Sequence, residues 1–343
     1  MARIAVIGAG AWGTALSIAL GRGGSHQLKL WAYEKEVVES IRTTHVNEPF
    51  LSGCRLPESI EATQSLAEAI SGAEIVLSVM PSHHVRRVWK QMKPLLRPDM
   101  LLVSATKGIE NESLLRMTEV ITEVLTEGEG GFQPRLCAVS GPTFAREVAM
   151  GFPTTITVAS AHPDLTAQVQ EAFSDANFRL YRNDDVIGLE LGGAVKNVIA
   201  IAAGVVDGIG YGHNTIAGLI TRGLAEMTRL TVACGGRSET MSGLSGLGDL
   251  VLTCTGGLSR NRSVGVELGR GRKLEEIIAG MHGMVAEGVL TTSATVGLAS
   301  SVGVEMPIIG QMHEILQHGK DPSDAIRDLM NRPLTQESAL YRV

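Results

Sequence analysis

The sequence predicts an α/β protein, with an N-terminal domain built on a mostly parallel sheet and an all-helical C-terminal domain after it. Three observations carry that expectation. Residues 3–7 (RIAVI) form a short apolar run, followed at once by GAGAWG and then by apolar residues at helical period. Strand, Gly-x-Gly-x-x-Gly, helix is the order of a dinucleotide-binding turn. Strand-like and helix-like stretches then alternate to about residue 181, the rhythm of βαβ units. From Asp184 onward no clear strand pattern appears and helical patterns dominate. The change places a domain boundary near 184–190 and divides the chain into residues 1–188 and 189–343.

A length of 343 residues suits two domains. Apolar residues make up 44% and charged residues 19%, an ordinary globular balance. The net charge of −6 and pI near 5.9 argue against a nucleic-acid binder. Cys54, Cys137, Cys234 and Cys254 are far apart and form no CxxC pair. They fit reduced thiols in a cytoplasmic protein better than a disulfide framework or zinc site. The apolar N-terminus resembles a secretory signal, but Gly8, Gly10 and Gly13 interrupt it at a spacing the turn explains. No uninterrupted apolar run reaches about 18 residues, so no membrane span is expected.

Within the fingerprint, Gly8 allows the tight turn, Gly10 lets backbone approach a pyrophosphate, and Gly13 lets helix pack on strand. This is a Rossmann-type turn, and NAD or NADP is the cofactor it predicts. The second strand (QLKLWAY) ends near Tyr33 and Glu34. An acidic residue there takes ribose hydroxyls and favours NAD, whereas the adjoining Lys35 could meet the extra phosphate of NADP. A turn-rich loop (47–58), a helix (64–71) and the strand EIVLSVM (74–80) follow. His83 and His84 are adjacent, so their side chains diverge and chelate poorly; no metal is expected. A helix over 83–93 leads to the strand MLLVSAT (100–106), which ends at Lys107, where open α/β sheets bind ligands. A helix over 112–126, the turn SGPT after RLCAV, and the strands PTTITVAS and FRLY complete the sheet.

The most informative stretch is GLELGGAVKNVIAIAAG (188–204). Lys196 is the one charge between Leu191 and Ala203, where all else but Asn197 is small or apolar. A helix apolar all round is a buried helix. An ammonium there must be paired, neutralised or in reach of water. The bland alternative is a lysine that snorkels to solvent. Farther on, residues 242–263 (SGLSGLGDLVLTCTGGLSRNRS) look too glycine-dense for stable helix. The segment ends in Arg260, Asn261 and Arg262, and glycine-rich backbone plus arginine suits a phosphate group, the plainer alternative being an ordinary loop with solvated arginines. Asp249, inside an apolar run, is a natural counter-ion for a buried lysine.

Together GAGAWGTAL, VMPSHH, SATKGIE, SGPTFAREVAMGFPT, LGGAVKNVIAIAAG, DGIGYGHNT, GLGDLVLTCT and SRNR resemble the bacterial-type NAD(P)-dependent sn-glycerol-3-phosphate dehydrogenases, in the family's order. The match runs from residue 7 to about 263, and VEMPI–HGK (304–320) extends it. The resemblance implies reversible reduction of dihydroxyacetone phosphate to sn-glycerol 3-phosphate, a precursor of glycerophospholipids. It assigns cofactor contacts to Gly8, Gly10, Ala11, Trp12, Gly13, Tyr33, Lys107, Ala145, Arg260, Val285 and Glu287. Substrate contacts fall to Lys107, Gly141, Thr143, Lys196, Asp249, Thr253, Ser259, Arg260 and Asn261. Lys196 is the implied proton donor and acceptor, with Asp249 and Lys107 orienting and tuning it. A homodimer is the expected assembly.

Two rivals come from other readings of the same residues. A lysine-dependent hydroxyacid dehydrogenase would want Asn four residues after the lysine, but position 200 is Ala and Asn197 lies on another face. A non-catalytic nucleotide-sensing protein leaves Lys196 unexplained. The residues leave open the choice of NAD or NADP, the oligomeric state and product inhibition.

Overall fold

The computed structural model describes residues 1–24, 26–281, 285–334, 336 and 337. They fall into two compact units. The first comprises Met1–Thr106 and Met117–Val186; the second comprises Lys107–Arg116 and Ile187 to the C-terminus.

The first unit holds an eight-stranded sheet of β1 (Ala2–Ile7), β2 (His26–Trp31), β3 (Ile60–Thr63), β4 (Ile75–Ser78), β5 (Leu101–Ser104), β6 (Arg135–Ser140), β7 (Thr154–Ala159) and β8 (Phe178–Asn183). Their order is β3-β2-β1-β4-β5-β6-β7-β8, parallel except between β6 and β7. The predicted mostly parallel sheet is therefore present. Residues of β4 and β5 are buried throughout, as strands with helices on both faces must be. The chain reverses its progress across the sheet beside β1, which pairs with β2 on one side and β4 on the other. Ligands of open α/β sheets bind at such a switch point, outside the carboxyl ends of the strands.

Three local expectations are corrected. The turn-rich loop contains a short helix, Glu48–Leu51, and is followed by β3, which the sequence had not suggested. The helix expected over 112–126 begins only at Met117. Leu114 sits at φ 61° and a bridge joins Ile109 to Arg116, so the chain makes a hairpin-like excursion there. Finally, the glycine-dense stretch is mostly helical: a π-helical turn, Leu244–Gly248, runs into the helix Asp249–Thr255. A Cβ on Gly246 would lie 2.2 Å from the Met241 carbonyl oxygen. That glycine answers to close packing rather than to a phosphate loop.

The second unit is helical, as expected, and is built around the 24-residue helix Val186–Ile209. Among the described residues this is the one helix long and apolar enough to cross a membrane, yet 89% of its apolar window is buried inside the protein. Small residues let a neighbour touch its backbone. A Cβ on Gly204 would meet the Arg262 carbonyl oxygen at 2.0 Å, and one on Gly265 would meet that of Ile201 at 2.0 Å. The helix Arg260–Gly269 is thereby pressed against the lysine-bearing helix. Glu226 works at longer range. Its buried carboxylate accepts from Ile308 N at 2.8 Å and Ile309 N at 3.2 Å, donors that the start of helix Pro307–His318 leaves unpaired.

Candidate active site

In the first unit, Gly8 follows β1 directly and Gly10 is the N-cap of helix Ala11–Gly21. Two of the three fingerprint glycines are demanded by the fold. A Cβ on Gly8 would lie 2.0 Å from the Val79 carbonyl oxygen, and one on Gly13 would lie 1.9 Å from that of Gly8. Gly10 is different, because nothing lies within 4 Å of where its Cβ would be. The loop is therefore open where the fingerprint expects a pyrophosphate. No side chain caps the helix start and no acidic residue lies in its first turn, so its N–H donors and positive dipole end suit an anion. These residues fit a dinucleotide. Gly10→Val is accordingly expected to keep its thermal midpoint while NADH affinity falls by about tenfold or more; unchanged affinity in a titration would remove the loop from the cofactor site.

The loop is braced by a residue the sequence had not singled out. Asn47 is fully buried, donating to Ala9 O at 2.7 Å and to Thr14 Oγ1 at 2.8 Å while accepting from Phe50 N at 3.2 Å. Its signal was only that of an N-cap before Glu-Pro. Tyr33 lies just beyond β2 and is exposed. Glu34 is the N-cap of helix Lys35–Thr44, making no side-chain capping bond, and Lys35 pairs with Glu39 at 3.3 Å. Gly141 and Thr143 follow β6, Thr143 Oγ1 donating to Gly141 O at 3.2 Å, and Ala145 opens the helix Ala145–Met150.

The second unit gathers Lys107, Lys196, Asp249 and Thr253 into one hydrogen-bonded cluster. Lys196 Nζ donates to Asp249 Oδ1 at 2.8 Å and to Thr253 Oγ1 at 2.7 Å. Thr253 Oγ1 in turn donates to Asp249 O at 2.6 Å. Lys107 Nζ reaches the other carboxylate oxygen, Oδ2, at 2.6 Å. Asp249 is 1% exposed and Lys196 only 6%, so the snorkelling alternative for Lys196 is set aside. Two ammonium groups share one carboxylate. Burial pushes the Lys196 ammonium down to about 8; Asp249 opposes that shift and Lys107 adds to it. An ammonium has three N–H bonds and two are used, so a third remains for an incoming acceptor.

Lys107 joins this cluster through the 107–116 excursion. The excursion is held by a buried ion pair of Arg116 with Glu190 at 2.6 Å, and Leu114 packs over Gly297. A bulky residue at positive φ is costly and persists only where its surroundings impose it.

Ser259, Arg260 and Asn261 lie together at the start of helix Arg260–Gly269. Ser259 Oγ caps it by accepting from Arg262 N at 3.2 Å. Arg262 pairs with Asp207 at 2.7 Å, whereas Arg260 is exposed, with Glu287 as an electrostatic partner. Asn261 is largely committed to structure. Its Oδ1 accepts from Gly288 N at 3.0 Å and its Nδ2 donates to Asn197 Oδ1 at 2.9 Å. Asn197 was passed over as lying off the lysine face. A lone amide in an apolar helix was the available signal, since buried amides need partners. Val285 and Glu287 stand at the start of helix Glu287–Ser301, next to Gly288.

Comparison with known proteins agrees with this chemistry. Residues 3–166 match the family model for the NAD-dependent glycerol-3-phosphate dehydrogenase N-terminus, and residues 185–327 match that for the C-terminus. A glycerol-3-phosphate dehydrogenase [NAD(P)+] of Koribacter versatilis is 66% identical over 98% of this chain and 99% of its own. One of Acidobacterium capsulatum is 54% identical, over 97% and 99% respectively. The crystal structure of glycerol-3-phosphate dehydrogenase from Coxiella burnetii superposes with a TM-score of 0.91 at 40% identity, covering 96% of this chain and 99% of that one. With its two-unit fold and its buried lysine–aspartate cluster, the chain belongs to the NAD-dependent glycerol-3-phosphate dehydrogenase family.

Proposed function

We propose that the chain catalyses the reversible, NAD(P)H-dependent reduction of dihydroxyacetone phosphate to sn-glycerol 3-phosphate, with Lys196 as proton donor. The observation that carries this reading is the Lys196–Asp249–Thr253 hydrogen-bonded group inside an otherwise apolar helix. A bound dinucleotide would supply the hydride, its pyrophosphate held by backbone N–H groups of the Gly8–Gly13 loop, with Tyr33 and Ala145 as further contacts. Lys196 uses its remaining N–H to polarise the ketone oxygen and then gives that proton to the nascent alkoxide. Asp249 fixes the direction of the ammonium and Lys107 keeps it acidic enough to donate. Two ammonium groups in one cluster suit an anionic phosphate ester. Arg260 and the free N–H groups at the start of its helix are assigned to the phosphate, with Gly141 and Thr143 completing the substrate set.

The product would feed glycerophospholipid synthesis. Cys54, Cys137 and Cys254 are buried thiols outside any disulfide, which supports a cytoplasmic location. Assembly as a homodimer is supported by the exposed first half of helix His213–Ala233, and sedimentation would measure it. The activity is tested by oxidation of NADH and NADPH with dihydroxyacetone phosphate. No oxidation of either, by a folded protein that binds NADH, would favour the nucleotide-sensing rival.

The pH dependence has a definite sign. Reduction needs the ammonium, so its kcat should fall as pH rises through about 8; oxidation needs the amine, so its kcat should rise over the same interval. Initial rates at saturating substrate in both directions measure this. A reduction rate that stays level from about pH 7 to about pH 10 contradicts Lys196 as the donor.

A further inference from the structure

We propose that Arg87, lying over Tyr33 beyond the carboxyl end of β2, admits NADP by receiving the 2′-phosphate of its adenosine ribose. The inference rests on the proposed dinucleotide chemistry and deepens it. β1 is flanked by β2 and β4, so the chain segments leaving those two strands border the Gly8–Gly13 loop. One contributes Tyr33; the other contributes helix Val85–Met92, which carries Arg87. The two meet: the Arg87 guanidinium carbon is 5.8 Å from the centre of the Tyr33 ring. Tyr33 is 67% exposed and yet braced. Its main-chain oxygen accepts from Gln64 Nε2 at 3.1 Å, and its ring stands edge-on to Trp31 at 6.5 Å.

The charges nearby single out Arg87. Arg86 is paired with Glu123 at 2.7 Å and Lys35 with Glu39 at 3.3 Å. Arg87 has no carboxylate partner among the described residues. Burial holds His83 and His84 below the usual histidine range, with Arg87 adding to the shift at His83, and His83 and then Arg87 adding to it at His84, which weakens both as cations beside Arg87. A guanidinium stacked on an aromatic ring is preoriented and keeps its N–H edge free for a phosphate. Glu34, with no capping bond to its helix, suits the 2′-hydroxyl of NAD and would repel the 2′-phosphate of NADP. Arg87 offsets that repulsion. Two opposed side chains thus set the preference between the two dinucleotides.

The test is a fluorescence titration of NADH and NADPH against wild type, Arg87→Gln, Arg87→Lys and Lys35→Met, read as the ratio of the NADPH to the NADH dissociation constant. Arg87→Gln should raise the ratio by about tenfold or more, the scale of a lost charge-assisted hydrogen bond. Arg87→Lys, which keeps charge but loses the fork, should fall between it and wild type, and covers the case in which the glutamine variant does not fold. Lys35→Met should change the ratio by less than about threefold. An unchanged ratio in both Arg87 variants overturns the proposal, even if the two affinities weaken together, because Arg87 would then only shape Tyr33. A change in Lys35→Met as large as in Arg87→Gln overturns it too. Failure of the parent reading looks different: wild type would bind neither dinucleotide.

Discussion

Lys196→Met is expected to yield a folded protein that binds NADH and has lost turnover by about 10²-fold or more, the usual contribution of a general acid. The structure makes this variant well suited to isolating the proton. Methionine matches lysine in length and is at home among the apolar neighbours of the helix. Its partner is not stranded, because Asp249 keeps the 2.6 Å ion pair with Lys107. Removing a poorly hydrated ammonium can be neutral or even stabilising when the remaining charges stay paired. Thermal unfolding and NADH titration should therefore match wild type closely, while kcat for dihydroxyacetone phosphate collapses. Turnover within about threefold of wild type would show that the buried ammonium is structural.

Asp249→Asn has a larger effect on the fold. The carboxylate is 1% exposed and bonded to two ammonium groups. Taking away the shared anion leaves two cations confined together, a situation that typically costs about 3–5 kcal/mol. Chemical denaturation should register a loss on that scale. The kinetic signature is independent of the stability loss. Asp249 is what holds the pKa of Lys196 up against burial and Lys107. Without it the pKa drops further, so the falling limb of the reduction rate should move to lower pH than about 8. Lys107→Met should move the limb the other way, because Lys107 pushes that pKa down. Opposite displacements by the two variants distinguish an electrostatic cluster from general damage. An unmoved limb in both would mean that Lys196 does not set the pH profile.

Much of this site was legible in the chain. The parallel sheet and the glycine turn between β1 and its helix were legible from periodicity and glycine spacing, because both depend on local backbone requirements. Lys196 and Asp249 were readable for a related reason: a charge in an apolar helix needs a partner, and an acidic residue in an apolar run is one. What escaped depends on contacts between residues far apart in sequence. Nothing near Asn47 announces that its amide reaches back to Ala9. Asn197 lies off the lysine face by its spacing, yet it anchors Asn261, a residue that the resemblance assigns to substrate. The glycines before Asp249 were read as loop because their helical partners, such as the Met241 carbonyl, are visible only in three dimensions.

The 107–116 excursion has a consequence for how such an enzyme can be taken apart or recombined. Lys107 is encoded within the sheet-forming part of the chain but belongs to the helical unit. Any uninterrupted piece of the gene that encodes the complete lysine–aspartate cluster therefore also carries residues 117–186 of the first unit. A fragment beginning at residue 187 would carry Asp249 and Lys196 without the second ammonium, and the complementary fragment would expose an orphaned hairpin. Exchange of the helical unit between relatives has to respect three junctions, at 106/107, 116/117 and 186/187. A crossover at the last of them alone would join a Lys107 loop from one parent to an Asp249 pocket from another. Inheritance of this active site is thus a matter of matched segments, and the loop and the helices can change only together.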